Sequence, residues 1–280
     1  HYPLRRQRQM CIRDRREVAT IKSEAMGVSP YEALLDEYDP GRREPQVDAI
    51  FADLEAFLPD FVQQALEKQS AGPDILMPRG PFPMTHQAQL SKEVMQILDF
   101  PFDHGRLDTA AHPFSGGAEG DLRITTRYEE DDFTKSLMAV IHETGHALYE
   151  NGRPHDWRGQ PVGDSRGMTL HESQSLLLEM QAARSEEFIR FIGPVAQKIL
   201  KGEGPAWDID NLLRVYRKVE PGLIRVYADE VTYPMHVIMR YKLEKAIIAD
   251  DIPIAELPLS LIHIPEPTRR TPTSYSVFCF

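Results

Sequence analysis

Residues 131–152 read DDFTKSLMAVIHETGHALYENG, and the way this stretch folds organises the rest of the chain. Asp131 and Asp132 offer a helix N-cap, Phe133, Leu137, Val140, Ile141 and Leu148 recur at helical spacing, and Asn151-Gly152 predicts a left-handed stop after Glu150. His142 and His146 then stand four apart. On a helix this sets them about 40° apart around the axis and about 6 Å along it, so both imidazoles can bind one ion. Glu143 lies beside them, where a carboxylate that is not itself a ligand can take a proton from a zinc-bound water and pass it to a leaving amine. The apolar flanks predict a site embedded in protein.

A catalytic zinc site takes three protein ligands and keeps a fourth position open. Glu172, 26 residues beyond His146, can supply the third ligand from a second helix. Two other readings stand beside it. Thr169-Leu170-His171-Glu172 is also a capping-box pattern, in which Glu172 only bonds back to the Thr169 backbone, and the adjacent His171 is a ligand candidate in its own right. Spacing leaves all three open.

Around this centre the pattern is mainly helical. Helices are expected within Ser29–Gln69, broken at Pro40-Gly41, over Thr85–Leu98, and over about 170–200, 207–219 and 232–249. RLDTAAHPF (106–114) and DLRITTRY (121–128) are rich in threonine and β-branched residues, and predict two antiparallel strands joined by the flexible loop Ser115–Gly120. The ends differ from the middle. Residues 1–16 carry six arginines with no apolar stretch behind them, and 259–280 hold Pro265, Pro267 and Pro272 without periodicity. RQMCIRDR and LSLIHIPEPTRR resemble translated adapter DNA, so residues 1–15 and 259–280 are expected to be non-native tails around a partial catalytic domain at 16–258. Both cysteines, Cys11 and Cys279, fall in those ends, and a disulfide-free cytoplasmic protein is expected. With 43 acidic against 32 basic side chains the net charge of −11 repels a phosphate backbone, which argues against nucleic-acid binding. No apolar run approaches the roughly 20 residues that span a bilayer, so no membrane partner is expected either.

Five stretches stand out together: His112-Pro113-Phe114, Asp121-Leu122-Arg123-Ile124-Thr125, HETGHALYENG from His142, His171-Glu172-Ser173-Gln174-Ser175, and Ile224-Arg225-Val226-Tyr227-Ala228-Asp229 followed by EVTYPMH. In these stretches the sequence resembles the carboxypeptidase Taq family of metallocarboxypeptidases. They occur in the family's order and cover most of residues 27–258, whereas the family's GxxQDxHW-type motif is not present, which makes a fragment the expectation. The resemblance implies a mainly α, neurolysin-like multi-helix fold with a small antiparallel β element beside the cleft. It implies Zn²⁺, or Co²⁺ or another divalent ion, held by His142, His146 and Glu172, with Glu143 as the catalytic base. The implied reaction is hydrolysis of the C-terminal peptide bond with broad specificity. The alternatives are an oligopeptidase acting on internal bonds and an inactive metal- or peptide-binding fragment.

Peptides with a free C-terminus are the expected partners, and a homodimer is left open. A guanidinium can read the free carboxylate through two parallel hydrogen bonds, which nominates Arg225; its alternative is a surface ion pair with Asp229 or Glu230. Arg123 and His112 are candidates for lining the cleft, and His236 for donating to the oxyanion. Each also has a structural reading, since strand alternation sends half the side chains away from any site. Tyr227, Tyr233 and Tyr241 read as packing aromatics.

Overall fold

The computed structural model describes residues 2–111 and 113–252. In chain order the described residues form α1 (Tyr2–Met26), α2 (Pro30–Leu35), α3 (Glu44–Ser70), α4 (Met84–Ile97), β1 (Gly105–Thr109), β2 (Phe114–Ala118), β3 (Asp121–Thr126), α5 (Phe133–Asn151), α6 (Met168–Leu176), α7 (Glu186–Leu200), α8 (Ile209–Tyr216) and α9 (Tyr233–Ile248). They divide into two compact units, His1–Gly72 with Val219–Phe280, and Pro73–Lys218. His112 and the expected tail at 259–280 lie outside the described residues.

In the first unit α9 is the common support for α1, α2 and α3. Tyr241 shows how. Its ring packs edge-on against Tyr31 and Phe51 at 5.4 and 5.0 Å, while its hydroxyl donates to Asp48 Oδ1 at 2.7 Å. An amphipathic aromatic can thus bury its body and satisfy its polar tip at once. α2 starts at a full capping box, with Ser29 accepting from the Glu32 amide and Glu32 reaching back to the Ser29 amide. α1 runs unbroken through residue 16, and Ile12 packs with Met239 and Ile252 against Leu243 and Ile247. Helical packing therefore extends ahead of the boundary expected at residue 16.

In the second unit α5 is the core element, with eleven of its nineteen residues buried. Phe133, Leu137, Met138 and Ile141 enter a cluster with residues of α4, α7 and α8, where Phe133 stacks on Trp207 at 5.2 Å. Val140 and Ala147 face a separate cluster formed with Leu122 and Ile124 of the sheet. The start of α5 is held by Asp132, whose carboxylate accepts from the Thr134 amide at 2.9 Å, and by buried Gln87. The Gln87 amide donates to the Phe82 and Glu129 carbonyls and accepts from Ser136, each at 2.8 Å, so its burial leaves no amide atom unpaired.

The sequence readings need four corrections. First, Gly152 ends α5 at φ −77°, with its amide on the Leu148 carbonyl, and adopts no left-handed stop. Second, the helix expected over 170–200 is broken: α6 passes into a π-helical turn at Leu177–Ala182, and Ser185 caps a new helix by accepting from the Phe188 amide. Third, the β element is a three-stranded mixed sheet in the order β1-β3-β2, not an antiparallel pair. β1 runs parallel to β3 and β2 antiparallel to it. The glycine-rich segment read as a loop is itself strand β2. Glycine is depleted in strands, but here it is required: a Cβ on Gly117, at φ +126°, would lie 1.9 Å from the Asp121 carbonyl oxygen. Fourth, the capping box at Thr169 does not form, because α6 begins at Met168 with no side-chain cap.

Candidate metal centre

α5 and α6 build the site by crossing at Gly145. A Cβ there would come within 2.6 Å of the Ser175 Cα, so only glycine permits this approach. The crossing sets Glu172 opposite the two histidines. Its carboxylate oxygens lie 3.9 Å from His142 Nε2 and 3.2 Å from His146 Nε2, and one ligand atom from each of the three residues lies within 4.8 Å of the others.

The outer partners decide what these atoms are. His142 Nδ1 lies 2.9 Å from Glu179 Oε2, and since a carboxylate only accepts, Nδ1 carries a proton and, in the neutral ring, Nε2 the lone pair. On the other side His171 Nε2 lies 2.8 Å from Glu150 Oε1, which puts the His171 proton on Nε2 and leaves its Nδ1 as an acceptor. His146 Nδ1, 2.6 Å away, must then be the donor, so His146 Nε2 also presents a lone pair. With both rings neutral, the two Nε2 atoms turn their lone pairs toward the Glu172 carboxylate. Two imidazoles and a carboxylate within reach of one point are a donor set that suits a divalent metal such as zinc. The 3.2 Å spacing is close to the roughly 3.3 Å separating two ligands of a tetrahedral zinc ion.

Each outer carboxylate is held in turn by an arginine. Arg184 donates to Glu179 Oε1 at 3.2 Å and to the Tyr216 carbonyl at 2.9 Å. Arg153 Nε lies 2.7 Å from Glu150 Oε2 as an ion pair without hydrogen-bond alignment, while its Nη1 donates to the Gly163 carbonyl at 2.9 Å. Sequence reasoning did not find Glu179, Glu150, Arg184 or Arg153. One signal was present for Glu179: it follows Glu172 by seven residues, two helical turns on the same face.

Glu143 is 7% exposed, on the wall of a cleft of about 450 Å³ that His146, His171, Met168, Phe114 and Gly117 also line. Burial pushes its carboxyl above the usual range, Glu172 and Glu179 add to the rise, and His142 and His146 oppose it. For His142 burial acts downward. The hydrogen bond and charge of Glu179, with Glu172 and Glu143, outweigh it and hold the imidazole above its ordinary value.

The other sequence candidates are differently placed. Arg123 in β3 is gripped by Asp121 through both carboxylate oxygens, at 2.7 and 2.9 Å, and is not part of the cleft wall. Arg225 and His236 belong to the unit that holds α9. Arg225 donates to the Tyr233 hydroxyl at 3.1 Å, leaves Nε buried without a partner, and forms no ion pair among the described residues. Asp229, its proposed surface partner, is instead occupied by the Glu220, Val231 and Thr232 amides. His236 is buried, and burial, reinforced by Arg240 and Arg225, pulls its imidazole below the ordinary value.

Comparison with known proteins gives a consistent answer. The sequence profile of the carboxypeptidase Taq (M32) metallopeptidases matches residues 4–261. Carboxypeptidase 1 of Bacillus subtilis is 37% identical over 233 residues, 82% of this chain and 46% of that protein. Thermostable carboxypeptidase 1 of Thermus thermophilus is 37% identical over 229 residues, 81% of this chain and 44% of that protein. The solved structure of Trypanosoma cruzi metallocarboxypeptidase 1 superposes with a TM-score of 0.84 at 42% identity, covering 89% of this chain and 52% of that one. The chain spans about half the length of the relatives it matches. With its helical fold and its histidine, histidine and glutamate cluster, this chain belongs to the carboxypeptidase Taq (M32) metallopeptidase family.

Proposed function

We propose that this chain carries the metal-binding and proton-transferring part of a zinc-dependent carboxypeptidase that removes C-terminal residues from peptides. The observation that carries the reading is the convergence of His142 Nε2, His146 Nε2 and the Glu172 carboxylate on one point. His142, His146 and Glu172 hold the ion, and Co²⁺ or another divalent ion suits the same donors. When bound, zinc supplies Lewis acidity to the scissile carbonyl and acidifies water in the site.

The protein's own groups do the rest. Glu143, with its carboxyl raised by burial, takes the proton of the attacking water and returns it to the departing amine. Burial matters here because it brings the base closer to neutrality, where proton transfer in both directions is efficient. Arg225 has a charge unclaimed by any described carboxylate, which supports its assignment to the substrate's free carboxylate. His236 is proposed as an oxyanion donor and His112 as a substrate contact, both on the family resemblance. Arg123 is left out, since its guanidinium fork is already filled by Asp121. The lack of cysteine between residues 12 and 278 supports a cytoplasmic location.

The test is a peptide offered as the free acid and as its C-terminal amide to the chain extended to its relatives' length. A carboxypeptidase shortens the free acid stepwise from its C-terminus and spares the amide, as read by mass spectrometry. Cleavage of both at internal bonds would replace this reading with the oligopeptidase.

A further inference from the structure

The two proposed ligand histidines are anchored differently. His142 bonds directly to a carboxylate, Glu179. Between His146 and its carboxylate, Glu150, a second imidazole is inserted, with contacts of 2.6 Å from His146 Nδ1 to His171 Nδ1 and 2.8 Å from His171 Nε2 to Glu150. We propose that His171 is a positioning residue for the metal centre: it accepts the His146 Nδ1 proton and so fixes both the ring orientation and the tautomer that turns Nε2 toward the ion. This rests on the ligand reading above.

The backbone explains why His171 takes this place. Neighbours on a helix point about 100° apart, so His171 and Glu172 cannot reach the same spot. With Glu172 aimed at the Nε2 atoms, His171 swings round to the back of His146. Its ring is only 9% exposed and packs at 4.7 Å from His146 and 4.6 Å from Tyr149, which leaves it little rotational freedom. Glu150 fixes its tautomer, and Arg153 holds Glu150. Without His171, the buried Nδ1–H of His146 loses its acceptor, and a ring that must donate somewhere can turn or shift its proton to Nε2. Either change removes a metal lone pair. Groups that hold ligands in this way typically contribute ~10- to 100-fold to metal affinity.

The experiment measures zinc affinity of this chain by competition with a chromophoric chelator, together with the visible absorption of the cobalt(II) form. His171→Leu, which keeps volume but offers no acceptor, should bind zinc ~10- to 100-fold more weakly and show an altered cobalt spectrum. His171→Asn places an amide oxygen near the Nδ1 position and should restore affinity to within a few-fold, with a parental spectrum. Parental affinity and spectrum in His171→Leu overturn the proposal. If that variant does not fold by far-UV circular dichroism, Glu150→Leu, which leaves both rings in place, carries the test. It should weaken zinc several-fold, and parental affinity there overturns the proposal. Glu172→Ala is the control for the underlying reading, because undiminished zinc binding in it removes the ligand set itself, whatever His171 does.

Discussion

Glu143 and Glu172 stand near the same pair of imidazoles, and geometry separates the tasks proposed for them. Glu172 comes from another helix and lies 3.2 Å from a histidine lone pair, whereas Glu143 is one residue along α5 from His142 and is turned toward the cleft wall. Replacing Glu143 by glutamine keeps volume and leaves both histidines on their helical face. Glu143→Gln should therefore keep the parental zinc content while turnover in the extended enzyme falls by at least ~10²- to 10⁴-fold, the usual contribution of a general base. Metal analysis and single-turnover rates would check this, and a variant cleaving at parental rate removes Glu143 from the mechanism. Glu244 in α9 supplies a pH test at the same scale. Burial raises its carboxyl, while the Tyr31 hydroxyl, which donates to it at 3.1 Å, and Arg240 oppose the rise. The folded chain thus holds this proton more tightly than the unfolded one. Its contribution is full below the unfolded value of about 4.3 and is lost as pH rises through the folded value. Glu244→Gln keeps an acceptor for Tyr31 and removes the titration. Its thermal midpoint should exceed the parent's at about pH 7, and the gain should vanish toward about pH 4; a pH-independent difference would show that Glu244 is not the linked group.

At the scale of elements, the proposed metal centre depends on how closely α5 and α6 approach. Gly145 sits against the Ser175 backbone with no room for a methyl group, so Gly145→Ala must push the helices apart. Overpacking of this kind costs about 1–3 kcal/mol, and the same shift draws Glu172 away from His142 and His146. Chemical denaturation and chelator competition on one preparation should both register the change, and parental values in both would mean that the crossing is not what aligns the site. The element scale also separates what was legible in the sequence from what was not. α5 could be read because capping, apolar period and the histidine spacing all agree, and Asp132 does cap it. Spacing leaves Glu172 beside a capping box and a neighbouring histidine; the start of α6 at Met168 without a side-chain cap supports the proposed ligand reading. The π-helical turn at Leu177–Ala182 has no signature in composition, yet it carries Glu179. β2 was misread because the glycines that make the hairpin sterically feasible also look like a loop.

For the whole molecule, the readings of greatest weight concern residues brought together from distant parts of the chain. Beyond the seven-residue spacing of Glu179 from Glu172, nothing in the sequence marks the outer partners Glu179 and Glu150; the fold brings Glu179 to His142 Nδ1 and Glu150 to His171 Nε2. The family resemblance carried what spacing did not, and the M32 profile over residues 4–261 agrees with it. Because the chain covers about half of its relatives' length, metal binding is the property that it can be asked to display unaided. No described helix is long and apolar enough to cross a membrane. The most direct measurement is the zinc content of the parent chain and of Glu172→Ala after loading and exhaustive dialysis. Two imidazoles and a carboxylate around one ion predict about one equivalent in the parent and loss of most of it in the variant. Equal zinc in the two proteins would contradict the site.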